Sequence, residues 1–137
     1  MTKFVSNVKQ INYPQQSVYN TLNDLTHIER IKDRLPEDKV KDLTFDKDSI
    51  SIKVDPVGQV SMRIIEREEP KTIKFASDQS PMSFNFWIQI LPVTDLTSKI
   101  RLTIDADIPF FAKAMVSKPL QEAIEKIADT LAMIPYE

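Results

Sequence analysis

An amphipathic pattern runs from Phe110 to Ile134, near the C-terminal end of the chain. Its apolar residues recur at steps of three and four, the spacing of one face of an α-helix: Val116, Leu120, Ile124, Ile127, Leu131 and Ile134. Charged and amide side chains, among them Glu122 and Asp129, occupy the opposite face. The pattern predicts one long helix that packs its apolar face against another layer of the protein.

Pro119 falls inside this predicted helix. Proline has no backbone N–H and its ring crowds the preceding turn, so we expect the early part of the helix to kink or break there. Phe110, Phe111, Met115 and Val116 would then lie on a segment able to move as a lid.

The middle of the chain alternates apolar and polar residues, which is the pattern of half-buried strands. It predicts six strands, at Val40 to Phe45, Ser49 to Asp55, Val60 to Ile65, Lys71 to Ser77, Met82 to Leu91 and Ile100 to Ala106. Turn sequences such as Asp46-Lys47-Asp48 and Glu69-Pro70 separate them. Clean alternation is typical of an antiparallel sheet with one solvated face and one covered face.

Another strand is predicted at the start of the chain, from Lys3 to Asn12, with Phe4 and Ile11 on opposite faces. It ends at Tyr13-Pro14, because proline disfavours a strand interior and suits the first turn of a helix. Two short helices follow, up to about Ile31. The predicted order is therefore β-αα-β6-α, an α+β domain whose seven-stranded sheet curls around the long helix, since one helix cannot cover a flat sheet.

Two segments of this chain resemble the START-like (SRPBCC) superfamily. Ile11 to Asp24 (INYPQQSVYNTLND) is similar to the opening signature, in which a strand ends in isoleucine, a small residue and proline before the first helix. Arg67 to Phe75 (REEPKTIKF) resembles the charged strand end, proline turn and apolar return of such proteins. The element order agrees from Lys3 to Ile134. Tyr13 stands where the usual signature has alanine.

The resemblance implies a helix-grip fold for residues 1–137 as a single domain: a curved seven-stranded antiparallel sheet wrapped around the C-terminal helix, with two short helices after the first strand. The superfamily includes birch-pollen allergen-like proteins, polyketide cyclase/dehydrase proteins and lipid-transfer domains. Its members bind lipids, sterols, polyketides or other apolar molecules in a cavity between sheet and helix, and a minority catalyse reactions there.

The resemblance and the strand pattern together suggest which residues would line such a cavity, namely Ile52, Val54, Met62, Ile64, Phe75, Phe84, Phe86, Leu102, Ile104, Met115, Leu120 and Ile124. The alternative is that the same residues form a filled core. Almost no polar groups lie on this face, although Trp87, Asn85 and Gln89 would supply some if the strand parity were reversed.

The composition also limits which catalytic residues and metal ligands the chain could supply. The chain has no cysteine and a single histidine, His27, so it lacks a thiolate nucleophile and the usual zinc ligands. We interpret Asp24 and Glu29 as solvent-facing neighbours of His27, and Asp105 and Asp107 as a solvated pair. We therefore predict no catalytic residue, no metal site and no cofactor.

The charge and the glycine content argue against nucleic-acid binding and against glycine-rich phosphate-binding loops. The net charge is −2, and the densest charged segment, Glu29 to Asp42, mixes both signs, whereas a nucleic-acid binder needs a basic face. With Gly58 as the single glycine, a phosphate-binding P-loop or a glycine-rich dinucleotide motif is excluded. No apolar run approaches the roughly 18 residues of a membrane span. We expect a cytoplasmic protein without stable membrane insertion, and an exposed strand edge that offers a route to a homodimer.

Three functions stay open at this point. The leading hypothesis is a non-enzymatic carrier or sensor that binds a small apolar molecule, such as a lipid or polyketide, between sheet and helix. The second is a polyketide cyclase/aromatase-like enzyme, which requires acid and base groups on the cavity wall. The third is a protein-interaction module whose core is filled.

Overall fold

A computed structural model describes residues 2–30, 44–54, 58–78 and 83–136 of the chain. The predicted strand residues 40–43, the turn residues 55–57 and Met82 lie outside the described residues, as do the side chains of Ile52 and Val54.

Eight strands, two α-helices and two 3-10 helices are assigned within the described residues. The strands are β1 (Thr2–Val5), β2 (Lys9–Ile11), β3 (Thr44–Phe45), β4 (Ser49–Val54), β5 (Gly58–Glu68), β6 (Thr72–Ser77), β7 (Phe84–Pro92) and β8 (Ser98–Ala106). The α-helices are α1 (Gln15–Leu22) and α2 (Lys113–Ala132), and the 3-10 helices span Leu25–Arg30 and Phe110–Ala112. The predicted order is confirmed, except that the first strand is divided in two.

One antiparallel sheet contains all of these strands, in the order β1-β8-β7-β6-β5-β4-β3, with β2 also paired to β8. Its strands keep the predicted alternation: Phe84, Phe86, Ile88 and Ile90 of β7 are buried, whereas the residues between them are half-buried. Among the described strands, β1 and β3 are the two ends of the sheet and do not pair with each other. An antiparallel sheet gripping a long C-terminal helix is the helix-grip fold.

The first strand is interrupted by one extra residue. Val5 pairs with Thr103 and Lys9 pairs with Ile100, so three residues of the first segment lie opposite two residues of β8. An inserted residue reverses the alternation of side chains beyond it. Phe4 and Ile11 are therefore both buried in the core, and the prediction that they lie on opposite faces is wrong.

A second irregularity lies in β5. Ile64 pairs with Phe75 and Glu66 pairs with Lys74, so Ile65 is the extra residue and is exposed. The sequence pattern already breaks at this residue. Bulges bend the strand that carries them, so both irregularities are of the kind that lets a sheet curl around a helix.

The long helix packs chiefly on β8, β1 and β2. Leu120, Ile124, Ala128 and Leu131 form its buried face, as the periodicity predicts. Pro119 lies inside α2, but the helix continues through it from Lys113 to Ala132, so the predicted break does not occur there. None of the helices in the described part of the chain is long and apolar enough to cross a membrane.

Candidate functional site

Apolar side chains are not buried equally at the two ends of the sheet. Where β2, the end of β7 and the start of β8 meet, Ile11, Ile90 and Ile100 are fully buried. Toward the other end, several apolar residues of β4, β5, β8 and the start of α2 are only partly buried although they pack against the core. We call six of these the open apolar region: Ile50, Val60, Met62, Ile104, Ala112 and Val116.

Ile104 gives the clearest sign of incomplete packing. It lies on the inner face of β8, an interior strand of the sheet, between Phe4 of β1 and Phe86 of β7. Leu102 and Ala106, two residues away on either side, are completely buried, whereas Ile104 is not. Protein interiors are normally close-packed, so the layer over the sheet leaves Ile104 incompletely covered.

The sequence-based list of cavity residues divides into three groups in the structure. Met62 and Ile104 belong to the open apolar region. Seven others are buried in the core: Ile64, Phe75, Phe84, Phe86, Leu102, Leu120 and Ile124. Met115 is 65% exposed, so it would contribute to an internal site only if the first turns of α2 moved. The side chains of Ile52 and Val54 are outside the described part.

Four members of the open apolar region are missing from that list. The alternation in β4 and β5 does place Ile50 and Val60 on the inner face, and helix periodicity does the same for Val116. Hydrophobic pattern alone separates inside from outside, however, and it cannot distinguish a partly buried position from a fully buried one. Nothing in the pattern pointed to Ala112.

A depression of about 260 Å³ adjoins the open apolar region at β3, β4 and β5. It is lined by Thr44, Phe45, Asp46, Ser49, Ile50, Ser51, Ser61, Met62 and Asp78. The depression therefore joins two members of the open apolar region to hydroxyl and carboxylate groups. Ser61 Oγ donates to Ser51 Oγ over 2.8 Å, so part of this polar wall is already internally hydrogen-bonded.

Asp46 has a structural role in that wall. Its Oδ1 accepts hydrogen bonds of 2.9 Å from the backbone N–H groups of both Asp48 and Ser49, which closes the turn between β3 and β4. These bonds stabilise the ionised form and hold the pKa of the Asp46 carboxyl below its ordinary value. Asp46 is therefore an anionic turn residue and is poorly suited to donate a proton.

A second, polar depression of about 400 Å³ is lined by Asn23, Asp24, Lys47, Asp48 and Arg67. Arg67 spans it, with its guanidinium bonded to the carbonyl of Asn23 and to Asp48 Oδ1, 2.5 Å away. The charges of Arg67 and Asp48 are therefore already paired. The depression consequently resembles a solvated surface. In it, Arg67 connects β5 to the segment after α1.

The lone histidine lies near this polar depression. His27 Nδ1 is 2.7 Å from the carbonyl oxygen of Thr21, and that contact requires a proton on Nδ1. The Asp24 carboxylate accepts hydrogen bonds from the backbone and hydroxyl of Thr26, which lower the pKa of Asp24. Both groups therefore serve local turn structure.

Two further carboxylates lie at the end of β8. Asp105 lies opposite Lys3 and Asn85 in the sheet and is half-buried, and Asp107 is exposed beyond the end of β8. Within the described ranges, no three histidine, aspartate or glutamate side chains are grouped so as to hold a metal ion.

Comparisons with known proteins yield structural matches only. No family model matches the sequence, and no curated protein matches it. A START superfamily protein from Mycobacterium smegmatis superposes with a TM-score of 0.70 at 11% identity, over 95% of this chain and 94% of that one. A protein from Thermus thermophilus gives 0.68 at 20% identity, over 96% and 94% of the two chains.

Norcoclaurine synthase from Thalictrum flavum, in a complex with dopamine and hydroxybenzaldehyde, superposes with a TM-score of 0.72 at 11% identity. The match covers 96% of this chain and 85% of the synthase. At these identities the likeness concerns the fold alone. The protein therefore has a START-like helix-grip fold.

Proposed function

We propose that the chain binds a small apolar molecule, such as a lipid or polyketide, between its sheet and α2, at the open apolar region. The observation that carries this proposal is the incomplete burial of inner-face residues at one end of the sheet, centred on Ile104. A bound apolar molecule would bury the surface that the protein itself leaves uncovered, which is favourable in proportion to the area removed from water.

The chemistry of the open apolar region favours binding over catalysis. Its six members carry only aliphatic or thioether side chains, so they can neither donate nor accept a proton in a reaction. The methionine at position 62 is adaptable in shape and suits an irregular ligand. The adjoining depression also contains the hydroxyls of Ser51 and Ser61, which belong to the outward-facing set of β4 and β5.

The similar fold of norcoclaurine synthase supports the size of molecule that we propose. That protein has been captured with dopamine and hydroxybenzaldehyde, two small aromatic molecules. The support is limited to the capacity of this fold to accept molecules of that size.

Substitution of Met62 by tryptophan tests the site. A larger side chain placed in unfilled space should block the fluorescence increase of Nile red, lowering its affinity at least about tenfold, while the free energy of unfolding changes by less than about 1 kcal/mol. Dye titration and urea unfolding measure the two quantities. The matched control is Ile65→Trp, three residues along the same strand at an exposed position, which should leave dye binding unchanged.

A filled core would give a different pair of results. Met62→Trp would then overpack the protein and lower its free energy of unfolding by about 1–3 kcal/mol. The unaltered protein would also fail to bind Nile red. Native mass spectrometry of protein purified from its own cells would identify the ligand class if a lipid or polyketide co-purifies with the protein.

A further inference from the structure

Two adjacent phenylalanines are almost fully exposed where the chain enters α2. Phe110 is 91% exposed and Phe111 is 87% exposed, in the 3-10 helix that precedes α2. Met115, in the first turn of α2, lies nearby along the chain and is also largely exposed. Single exposed apolar residues are common on proteins, but three within six positions form a patch that water solvates poorly.

Two lysines lie close in sequence to these three exposed apolar side chains. Lys113 lies between Phe111 and Met115 in sequence, and Lys118 is three residues beyond Met115, on the same side of the helix. Both lysines are exposed. Asp107, the nearest carboxylate along the chain, is exposed, so the segment from Asp107 to Lys118 holds two lysines and one carboxylate, and the exposed Glu122 follows one helical turn after Lys118.

We propose that Phe110, Phe111 and Met115, with Lys113 and Lys118, form a docking surface for an anionic lipid bilayer. Apolar rings flanked by lysines are the combination that lies at a bilayer interface: the rings enter the headgroup boundary and the ammonium groups attract anionic headgroups. No helix needs to cross the membrane for such contact, so the docking is peripheral and reversible.

A second copy of the chain fits the patch less well. The two phenylalanines bury about 300–500 Å² between them, whereas a stable dimer buries about 800 Å² on each partner. Two copies brought together through this patch would also place their lysine pairs close to each other. An anionic surface neutralises those charges, and this charge complementarity favours lipid over a second copy.

Vesicle co-sedimentation tests the proposal directly, with vesicles of phosphatidylcholine alone and of an equal mixture of phosphatidylcholine and phosphatidylserine. We expect the protein to pellet with the mixed vesicles and to remain largely in solution with the neutral ones. Replacing both phenylalanines by alanine should reduce the bound fraction at least about tenfold. Replacing Lys113 and Lys118 by glutamine should weaken binding about fivefold for each lysine removed.

Control variants separate docking from loss of structure. Met133→Ala removes an exposed methionine just beyond the other end of α2, and it should bind vesicles like the unaltered protein. Replacing Phe110 and Phe111 by leucine keeps the apolar character and should retain most of the binding. Far-ultraviolet circular dichroism should be the same for every variant, because the altered side chains lie outside the core.

Three results would overturn lipid docking. The first is an absence of binding to either kind of vesicle. The second is binding that survives the double alanine substitution. The third is a concentration-dependent dimer that the double alanine substitution abolishes, which would assign the patch to a second copy instead. The docking surface does not rest on the proposed apolar ligand, since dye binding and vesicle binding are separate measurements with separate variants.

Discussion

The hydroxyl of Tyr136 donates a hydrogen bond of 2.6 Å to the carbonyl of Leu131, near the end of α2. The ring is buried and meets the ring of Tyr13 edge-on, with centroids 6.0 Å apart. Burial raises the pKa of the Tyr136 phenol, because the phenolate would lose its hydration. One side chain thus joins the C-terminal segment to the chain between β2 and α1.

Tyr136→Phe keeps the ring and removes only the hydroxyl. We expect the free energy of unfolding at neutral pH to fall by about 1 kcal/mol, the usual net value of one hydrogen bond. The pH dependence should also change. In the unaltered protein, the unfolded chain loses the Tyr136 proton near its ordinary pKa of 10.0 while the folded chain keeps it.

Burial of the protonated phenol therefore makes its full contribution to the free energy of unfolding below the ordinary tyrosine pKa of 10.0. This contribution is lost as the pH rises above that value. The phenylalanine variant lacks this loss, so the difference in stability between the two proteins should narrow in alkaline solution. Urea unfolding of both proteins at neutral and alkaline pH measures the difference. A constant gap would show that Tyr136 is solvated in the folded protein.

Among the elements, the division of the first strand depends on Ser6. Its backbone N–H donates to the carbonyl of Leu102 over 2.9 Å, and its Oγ accepts from the N–H of Leu102, also over 2.9 Å. Both residues are buried. The serine side chain thus takes the place of a backbone partner where the extra residue interrupts the pairing of β1 and β2 with β8.

Ser6→Ala would leave the Leu102 N–H without this partner in the core. An unpaired buried donor costs about 1–3 kcal/mol, so the variant should lose that much free energy of unfolding. Ser117→Ala is a suitable control, because the Ser117 hydroxyl bonds only to the carbonyl of Lys113, one turn earlier in α2. Thermal or urea unfolding compares the two, and equal stabilities would remove Ser6 from this role.

The sequence predicts the elements more completely than it predicts their irregularities. Alternation correctly assigns the buried residues of β7, and helix periodicity correctly assigns Leu120, Ile124 and Leu131. The extra residue near Ser6 escapes the pattern, because a polar serine that satisfies a distant backbone group looks like an ordinary outward-facing residue. Ile127, on the predicted apolar face, is in fact 40% exposed. Helix periodicity does not show how far the covering layer extends.

The candidate site is less predictable than the fold for a similar reason. The alternation of residues along each strand places Met62 and Ile104 on the inner face of the sheet. Their incomplete burial, however, depends on how α2 is placed over the sheet. That placement is a property of the whole packed structure. The polar neighbours of the site, Ser51 and Ser61, belong to the outward-facing set in the sequence and join the depression through the geometry of the sheet.

Across the whole molecule, the two ends of the sheet should differ in local stability. Backbone amides in the β7–β8 pair around Ile90 and Ile100, where side chains are fully buried, should exchange their hydrogens at least about tenfold more slowly than those around Ile50 and Met62. Hydrogen exchange followed by mass spectrometry measures this contrast. Uniform protection across the sheet would contradict the packing difference from which the ligand site is inferred.

The contacts between α2 and the start of the sheet have a consequence for behaviour in crowded solution. Gln121 Nε2 donates to the carbonyl of Val5 over 3.0 Å, and Glu125 Oε1 accepts from the N–H of Asn7 over 2.8 Å. The Val5 carbonyl belongs to β1, at one end of the sheet, and the Asn7 N–H belongs to the segment that follows it. Unpaired backbone groups at a sheet edge are where a foreign strand attaches. Two helix side chains therefore occupy backbone groups at this edge of the sheet, which leaves a foreign strand fewer partners there.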